Sequence, residues 1–154
     1  MNTAGVSQAG VFKTLEQASV GYTVSLASVL KAIPWNKDGL IPAIAQQHDS
    51  RDVLMMAWMN LTALQETLAT GQVCYWSRSR QTLWRKGETS GQVQRLKEAM
   101  LDCDGDTLLL LVDQVGPACH SGRRSCFLTT LTDATATVNS APLISPEALY
   151  PGDH

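Results

Sequence analysis

Residues 101–127 read LDCDGDTLLLLVDQVGPACHSGRRSCF, and this stretch combines an apolar run with most of the chain's candidate metal ligands. The run LLLLV at residues 108–112 has the length and composition of a buried strand. Three aspartates stand at alternate positions before it, and the stretch also holds three of the four cysteines and one of the three histidines. We therefore expect the rest of the chain to be arranged around this segment.

The composition indicates one soluble domain. The 154 residues are 44% hydrophobic and 17% charged, with a formal net charge of -2, which is ordinary for a globular protein and gives no reason to expect a nucleic-acid or membrane partner. No apolar run approaches the roughly 18 residues needed to span a bilayer, and no signal-like segment opens the chain. We expect a cytoplasmic protein, whose reduced thiols are available for burial, metal binding or catalysis.

Two segments have the apolar spacing of amphipathic helices. Residues 25–33, SLASVLKAI, carry apolar side chains at helical intervals before a proline. Residues 60–71, NLTALQETLATG, place three leucines on one face, and Gly71 is a typical helix end. Thr62 and Gln65 have the spacing of a capping box, which makes Thr62 the candidate N-cap.

The other ordered segments are predicted to be mainly strands. Residues 39–46 and 53–59 are apolar and strand-length, and the polar residues between them predict a hairpin with His48 in its turn. Further strand candidates are residues 73–76, 93–100 and 126–131, of which residues 93–100 also fit a helix.

These elements predict an α+β fold, a small single domain with a mainly antiparallel, strand-rich sheet and few helices. We expect residues 34–131 to form this domain, after an N-terminal arm, residues 1–33, that contains the short helix. Small and polar residues up to about Ser19 predict a mobile or loosely docked segment. Residues 132–154 are rich in Ala, Ser, Thr and Pro, and we expect a surface tail.

The pattern DCDGD at residues 102–106 is a candidate metal site. In an extended segment its carboxylates would share one face, and the thiol of Cys103 would lie on the other. Carboxylates suit Mg²⁺ and a thiolate suits Zn²⁺, so two metals on opposite sides are conceivable. A calcium loop of the EF-hand type is disfavoured because Thr107 and Asp113 replace its glycine and glutamate, whereas a solvated acidic turn remains an alternative. The carboxylates belong to Asp102, Asp104 and Asp106.

Two further thiols, Cys119 and Cys126, flank His120 in a glycine-containing stretch that can bend around a cation. Three thiolates with one open position fit a catalytic zinc better than a structural zinc, which has four protein ligands. Thiolates acidify a bound water only weakly, so a nearby base such as His120 would be useful. Ordinary buried cysteines and a structural histidine remain alternatives, and we expect Cys74 in the core.

A polar segment follows the strand predicted at residues 73–76. The motifs SRSR, at residues 77–80, and LWRKGETSG, at residues 83–91, combine guanidinium groups, hydroxyls, a lysine and two glycines. Such a segment can offer backbone amides, hydroxyls and cations to an anion, although an exposed polar loop explains the same pattern.

Five motifs stand in order between residues 39 and 127: GLIPAIAQ, VLMMAWMN, YWSRSRQTLWRKGETSG, DCDGD and GPACHSGRRSCF. Together they closely resemble the phosphoribosyl-AMP cyclohydrolase family of histidine biosynthesis. The combination of WxKGETSG, DCDxD and CHxGxxSCF is highly specific, whereas each motif alone is weak. Both ends of the chain lie outside the resemblance.

The resemblance implies an enzyme that opens the purine ring of 1-(5-phosphoribosyl)-AMP by adding water across N1–C6, giving the formimino-aminoimidazole carboxamide ribonucleotide. It implies an intertwined homodimer whose subunits share a Zn²⁺ bound by Cys103, Cys119 and Cys126. For such a site we expect His120 to be the base that takes a proton from the zinc-activated water. Mg²⁺ would be bound by Asp102, Asp104 and Asp106. Candidate substrate contacts, mainly to the two 5′-phosphates, are Arg78, Arg80, Trp84, Lys86, Glu88, Thr89 and Ser90.

The chain departs from the family pattern at the hairpin turn, where Ser50, Arg51 and Asp52 replace the usual Thr-Gly-Glu. We expect a wider or differently shaped turn there. Too few residues follow Phe127 for the phosphoribosyl-ATP pyrophosphohydrolase domain of many bacterial relatives, so a monofunctional enzyme is expected. Two other functions remain: a zinc-stabilised binding module, which would need a fourth protein ligand, and a different hydrolase of nucleotides or nucleosides.

Overall fold

The computed structural model describes residues 10–149, so predictions for residues 1–9 and 150–154 lie outside the described residues. The helices are α1 (Val11–Gln17), α2 (Leu26–Ala32), α3 (Leu61–Thr70) and α4 (Pro146–Leu149). The strands are β1 (Ile41–Gln47), β2 (Val53–Met59), β3 (Cys74–Ser77), β4 (Thr82–Arg85), β5 (Gln94–Leu101), β6 (Leu108–Gln114), β7 (Thr129–Leu131) and β8 (Ala136–Val138).

Six strands form one sheet in the order β4-β3-β2-β1-β6-β5. The pair β1–β6 is parallel, while the other neighbours run antiparallel. The predicted mainly antiparallel sheet is therefore mixed, because the chain crosses over between β1 and β6 instead of returning through a hairpin. An isolated bridge between Gln72 and Arg95 connects the start of β3 to β5, which curls the sheet towards a barrel.

Strand β6 lies inside this sheet, as its leucine run predicts. Leu110 and Val112 are completely buried, and Leu108 is nearly so. Removing a leucine side chain from water in this way contributes about 2 kcal/mol to stability. The same core contains Ile41, Ala43 and Ala45 of β1, Leu54 and Met59 of β2, and Ala63 and Leu64 of α3.

The remaining predicted elements are largely confirmed. Helix α2 begins after Ser25, whose hydroxyl accepts a hydrogen bond from the Ser28 N–H at 3.2 Å. The hairpin is formed by β1 and β2, and residues 94–101 are a strand, not a helix. Two predictions need correction. Residues 82–85 are the strand β4 and not part of a loop, and within 126–131 only β7 is a strand, paired with β8 outside the main sheet.

Both predicted terminal segments contact loops of the domain. Residues 11–17 form α1, so the prediction of a loosely docked arm is wrong here: Val11 is buried, and the ring of Phe12 lies where a Cβ on Gly105 would be. The tail is mostly exposed, as expected, but its residues 143 and 144 donate backbone hydrogen bonds to the Gly122 carbonyl at 2.8 and 3.4 Å.

The hairpin turn adopts a conformation that favours glycine. Arg51 has φ 68°, in the left-handed region that costs a non-glycine residue about 1–2 kcal/mol. Its carbonyl accepts a hydrogen bond from Gln46 Nε2 at 2.9 Å, and its N–H donates to the Gln47 carbonyl at 3.0 Å. These bonds offset the strain that arginine introduces at this position.

Among the helices of residues 10–149, none has the length and apolar character needed to cross a membrane.

Helix α3 is capped by Asn60, so the prediction of a capping box at Thr62 is wrong. The Asn60 side chain accepts a hydrogen bond from the Ala63 N–H at 2.8 Å, and its backbone is extended where β2 ends. Thr62 lies inside the first turn and is exposed. Gly71 ends the helix in the left-handed conformation, φ 76°, as predicted.

We predict that Asn60→Ala lowers the free energy of unfolding by about 1 kcal/mol, because the Ala63 N–H loses its partner. Thr62→Ala is the matched control and should stay within about 0.5 kcal/mol of the unsubstituted protein. Urea unfolding followed by circular dichroism at one protein concentration measures both. A larger loss for Thr62→Ala than for Asn60→Ala would restore the capping box.

Candidate active site

A polar cleft opens beside β4. Its volume is about 310 Å³, and its lining consists of Arg80, Trp84, Lys86, Gly87, Glu88, Thr89 and Ser90. Six of the seven predicted substrate contacts thus line one cleft, which is the geometry that a binding site for an anion requires.

Two glycines allow the cleft loop, residues 86–92, to fold back on itself. Gly87 has φ 87°, and a Cβ there would collide with the backbone of Val93. Gly91 has φ 80°, and its N–H donates to the Gly87 carbonyl at 2.8 Å. The Ser90 hydroxyl accepts a hydrogen bond from the Gln92 N–H at 3.2 Å, which closes the loop. The chain therefore needs glycine at both positions to build this rim.

Lys86 is the most unusual residue of the cleft because it is only 7% exposed. Its ammonium lies 5.9 Å from the centre of the Trp84 ring, and it forms no salt bridge with another residue of the described chain. Burial lowers the pKa of Lys86, while the thiols of Cys126 and Cys119 oppose that shift. A buried cation without a carboxylate partner is well suited to bind an anion from solution.

Arg78 does not line this cleft. Its guanidinium lies 4.8 Å from the centre of the Trp58 ring. It borders a second cleft of about 390 Å³ with Asp38, Leu40, Asn60, Trp76 and Gln81. Its predicted contact with the substrate would therefore be separate from that of Arg80.

The cysteine loop, residues 115–126, begins directly after β6 and returns to β2. The Cys126 N–H donates to the Leu54 carbonyl at 2.7 Å, and the Ser125 hydroxyl donates to the Val53 carbonyl at 2.7 Å. Arg124 forms a salt bridge of 3.3 Å with Asp52 of the hairpin turn. These contacts fix the end of the loop against the sheet.

The thiols of Cys119 and Cys126 lie close enough for each to shift the pKa of the other. Burial, followed by the charge and hydrogen bond of Cys119, raises the pKa of Cys126 to about 12. Burial also opposes ionisation of Cys119, but hydrogen bonds from Ser121 and Cys126 outweigh it, so the pKa of Cys119 lies below its ordinary value. The Ser121 hydroxyl donates to the Cys119 sulfur at 3.0 Å.

The two pKa shifts have opposite directions, so Cys119 loses its proton more readily than Cys126. Lys86 interacts electrostatically with both sulfurs, so the pair lies near the buried end of the cleft. His120, next to Cys119, is exposed, and its side chain makes no hydrogen bond to another described residue. The predicted base is thus free to contact a ligand.

The acidic residues lie in the turn between β5 and β6. The segment is not extended as assumed from the sequence: the Asp102 carboxylate accepts a hydrogen bond from the Asp106 N–H at 3.0 Å, which closes a turn. One carboxylate oxygen from each of Asp102, Asp104 and Asp106 lies within 4.8 Å of the others. Hydrogen bonds and repulsion from its two neighbours raise the pKa of Asp106. Crowded carboxylates of this kind favour a proton or a cation.

Cys103 is exposed and does not join the other two thiols within one chain. Among residues 10–149, the three aspartates are the only group of three possible metal-ligating side chains whose ligand atoms come this close. Strand β6 separates Cys103 from the cysteine loop, and its seven residues span roughly 20 Å. One chain therefore presents two of the predicted zinc ligands at one end of β6 and the third at the other.

Sequence reasoning missed three buried polar residues that support the cleft. The Tyr75 hydroxyl donates to Gln94 Oε1 at 2.7 Å, and the Tyr75 ring lies 5.4 Å from that of Trp84. Gln94 and Gln114 are neighbours in the β5–β6 register and are both buried. Gln94 begins β5 and Gln114 ends β6. A glutamine at the border of a predicted strand is the sequence signal that could have identified these two residues.

The cleft, the buried cation and the thiol pair are typical of an enzyme site for an anionic substrate. Residues 55–128 match the family model described as phosphoribosyl-AMP cyclohydrolase. A protein of that name from Alkalilimnicola ehrlichii is 66% identical over 140 residues, which cover 91% of this chain and 99% of the relative.

Two further relatives with the same name give similar matches. The protein from Chromohalobacter salexigens is 67% identical over 139 residues, covering 90% of this chain and 95% of its own. The protein from Hydrogenovibrio crunogenus is 61% identical over 145 residues, covering 94% and 99%. This chain belongs to the phosphoribosyl-AMP cyclohydrolase family, which confirms the resemblance seen in its motifs.

We predict that, in metal-free folded protein at neutral pH, iodoacetamide alkylates Cys103 and leaves Cys74 unmodified. Cys103 is exposed, whereas Cys74 is completely buried, and burial followed by its contact with Glu66 raises its pKa to about 12. Peptide mass spectrometry measures both sites, and unfolded protein, in which all four thiols react, is the control. Equal labelling of the two residues in folded protein would contradict the placement of Cys74 in the core.

Proposed function

We propose that this chain opens the purine ring of 1-(5-phosphoribosyl)-AMP by hydrolysis at N1–C6, giving the formimino-aminoimidazole carboxamide ribonucleotide, as a cytoplasmic enzyme of histidine biosynthesis. The observation that carries the proposal is the buried Lys86 of an anion-binding cleft next to the Cys119–Cys126 pair. Membership of the family supplies the substrate.

The thiol pair fits Zn²⁺. Thiolates are the zinc-binding form, so a cation bound to both sulfurs would displace their protons to solvent. Zn²⁺ bound by Cys119, Cys126 and one more thiolate would make a water molecule more acidic and leave one position open for it. Within residues 10–149 of one chain no third possible ligand atom joins the pair, which argues against a four-ligand structural site inside a subunit.

Cys103 of a second subunit is the proposed third ligand. It lies at the opposite end of β6 from Cys119 and Cys126, so a single chain would have to bend back across the sheet to supply it. In an isologous homodimer, each subunit would give Cys103 to its neighbour's pair, and two equal sites would result.

His120 is the proposed general base. It directly follows Cys119, and its exposed imidazole can reach a water molecule held beside the thiols. We expect it to take a proton from that water as the oxygen attacks C6, and to assist transfer of the proton to N1 as the N1–C6 bond breaks. Carbon C6 is a suitable electrophile because the ribosyl group on N1 makes the ring electron-poor.

The cleft would bind the rest of the substrate. Lys86 supplies the buried charge, and the loop amides with Thr89, Ser90 and Arg80 supply hydrogen bonds to a 5′-phosphate. Trp84 offers a surface for stacking, and Glu88 an acceptor. Arg78, in the neighbouring cleft, remains a predicted phosphate contact. Mg²⁺ held by Asp102, Asp104 and Asp106 would neutralise phosphate charge or order the substrate.

We predict zinc-dependent turnover of phosphoribosyl-AMP, measured by the absorbance of the ring-opened product. A chelator should remove the activity, and Zn²⁺ should restore it, because the attacking water needs the metal for activation. AMP, which lacks the ribosyl group on N1, is the control substrate and should not react. The proposed function is wrong if zinc-loaded protein leaves phosphoribosyl-AMP unchanged.

We predict that His120→Ala lowers kcat on the order of a hundredfold or more at neutral pH, since the water loses its proton acceptor. KM should change little. His48→Ala is the matched control: His48 lies in the hairpin turn at the end of β1 and should be dispensable. Normal turnover by His120→Ala would exclude it as the base.

We predict that Cys103→Ser and Cys126→Ser homodimers are each inactive and that mixing them restores activity. In a heterodimer, one site combines the intact Cys126 of one chain with the intact Cys103 of the other and therefore has all three thiols. The second site combines both substituted residues and lacks two thiols. After unfolding and refolding of an equal mixture, activity should reach about a quarter of the unsubstituted level. A mixture that stays inactive, while each variant is folded and dimeric, would show that the site does not cross subunits.

A further inference from the structure

Gln114, the last residue of β6, is 5% exposed and lies between the cleft loop and the cysteine loop. Its side-chain Nε2 donates to the carbonyl of Gln92 at 2.9 Å and to the carbonyl of Val115 at 2.8 Å. A third contact, to the Val93 carbonyl, is 3.4 Å long. One amide group thus contacts the exit of the cleft loop and the start of the cysteine loop.

The orientation of this amide is fixed by its surroundings. Turning it over would place Oε1 against three carbonyl oxygens, which cannot donate a hydrogen bond. In the observed orientation Gln114 Oε1 is buried without a hydrogen-bond partner in the described structure. A buried acceptor without a partner costs free energy, so the three donor contacts must outweigh that cost.

Further contacts join the same two loops around Gln114. The Val115 N–H donates to the Val93 carbonyl at 3.0 Å, and Gly116 lies so close to the Gln92 side chain that a Cβ would collide with it. Gly87, at the other end of the cleft loop, packs on the backbone of Val93. The position of the Lys86 region is therefore linked to the start of the cysteine loop through residues 92 and 93.

Gln114 is itself held on its other side. Its backbone N–H donates to Gln47 Oε1 at 2.9 Å, and Gln47 Nε2 donates to Asp113 Oδ1 at 3.2 Å. Strand β1 thus fixes the position of Gln114 relative to the sheet. A side chain anchored in this way holds the two loops that it contacts in a fixed position relative to each other.

We propose that Gln114 is a positioning residue that sets the distance and orientation between the anion-binding cleft and the Cys119–Cys126 pair. This inference rests on the proposed function, in which one substrate contacts both. Without the Gln114 amide, three carbonyls lose a donor, and the two loops are held together less tightly, by the Val115–Val93 bond and the packing of Gly116 on Gln92. Substrate binding and zinc binding then weaken together, although Gln114 contacts neither ligand.

The test compares Gln114→Met, which keeps the side-chain length and removes the donor, with Gln114→Glu, which places a carboxylate against the carbonyls. The matched control is Thr67→Val. Thr67 is also completely buried, and its hydroxyl donates to the Ala63 carbonyl at 2.8 Å and accepts from the Cys74 N–H at 2.9 Å, outside both loops. The zinc dissociation constant, from competition with a chromophoric chelator, KM, kcat and Tm are measured for each protein.

Gln114→Met should weaken zinc binding and raise KM, each about tenfold, with a stronger effect for Gln114→Glu. Thr67→Val should lower Tm but leave the zinc dissociation constant and KM unchanged. If Gln114→Met lowers Tm while both constants remain those of the unsubstituted protein, Gln114 is merely structural and the inference is wrong.

A measurement on the unsubstituted protein covers the case in which the variants do not fold. Zinc should slow amide hydrogen exchange in residues 88–93, none of which is a proposed zinc ligand, and unchanged exchange there would overturn the inference. Absence of turnover with normal zinc binding would reject the proposed reaction, while chelator competition and hydrogen exchange would still test the role of Gln114.

Discussion

The burial of β6 between β1 and β5 is the constraint on which the rest of the structure depends. This strand supplies Leu108, Leu110 and Val112 to the core, so its two ends are fixed relative to the sheet. The acidic turn with Cys103 precedes it, and the cysteine loop follows it. Because roughly 20 Å of rigid strand separates these segments, the fold keeps the two sets of predicted ligands apart within one chain. The sharing of a site between subunits would follow from this geometry.

Local sequence patterns predicted the elements that local forces stabilise. The leucine run of β6, the spacing of α3 and the hairpin β1–β2 were all predictable, since each has a clear apolar period. The parallel pairing of β1 with β6 was not, because it depends on a crossover between distant segments. Helix α1 was not predicted for a related reason. Its few apolar side chains are buried only by tertiary contacts, such as that of Phe12 with Gly105, and these contacts leave no apolar period in the sequence.

The candidate site shows the same division. The residue types and their order in WRKGETSG were enough to predict the lining of the cleft, whose residues the structure brings together. Those in DCDGD were enough to predict the group of three carboxylates. The burial of Lys86, the opposite pKa shifts of Cys119 and Cys126 and the loop contacts of Gln114 could not be predicted. They arise where residues distant in the chain meet, and desolvation there changes what an ordinary lysine, thiol or amide can do. Cys103 was predicted to lie on the face opposite the aspartates of an extended segment. In the structure it is separated from Cys119 and Cys126 because it lies at the other end of β6.

Anomalous scattering at the zinc absorption edge, from crystals of the zinc-loaded protein, can show which chains supply the ligands of the metal. We predict one strong peak per subunit, in contact with the sulfurs of Cys119 and Cys126 of one chain and of Cys103 of another. A peak whose protein ligands all come from one chain, or one that Cys103 does not contact, would contradict this prediction.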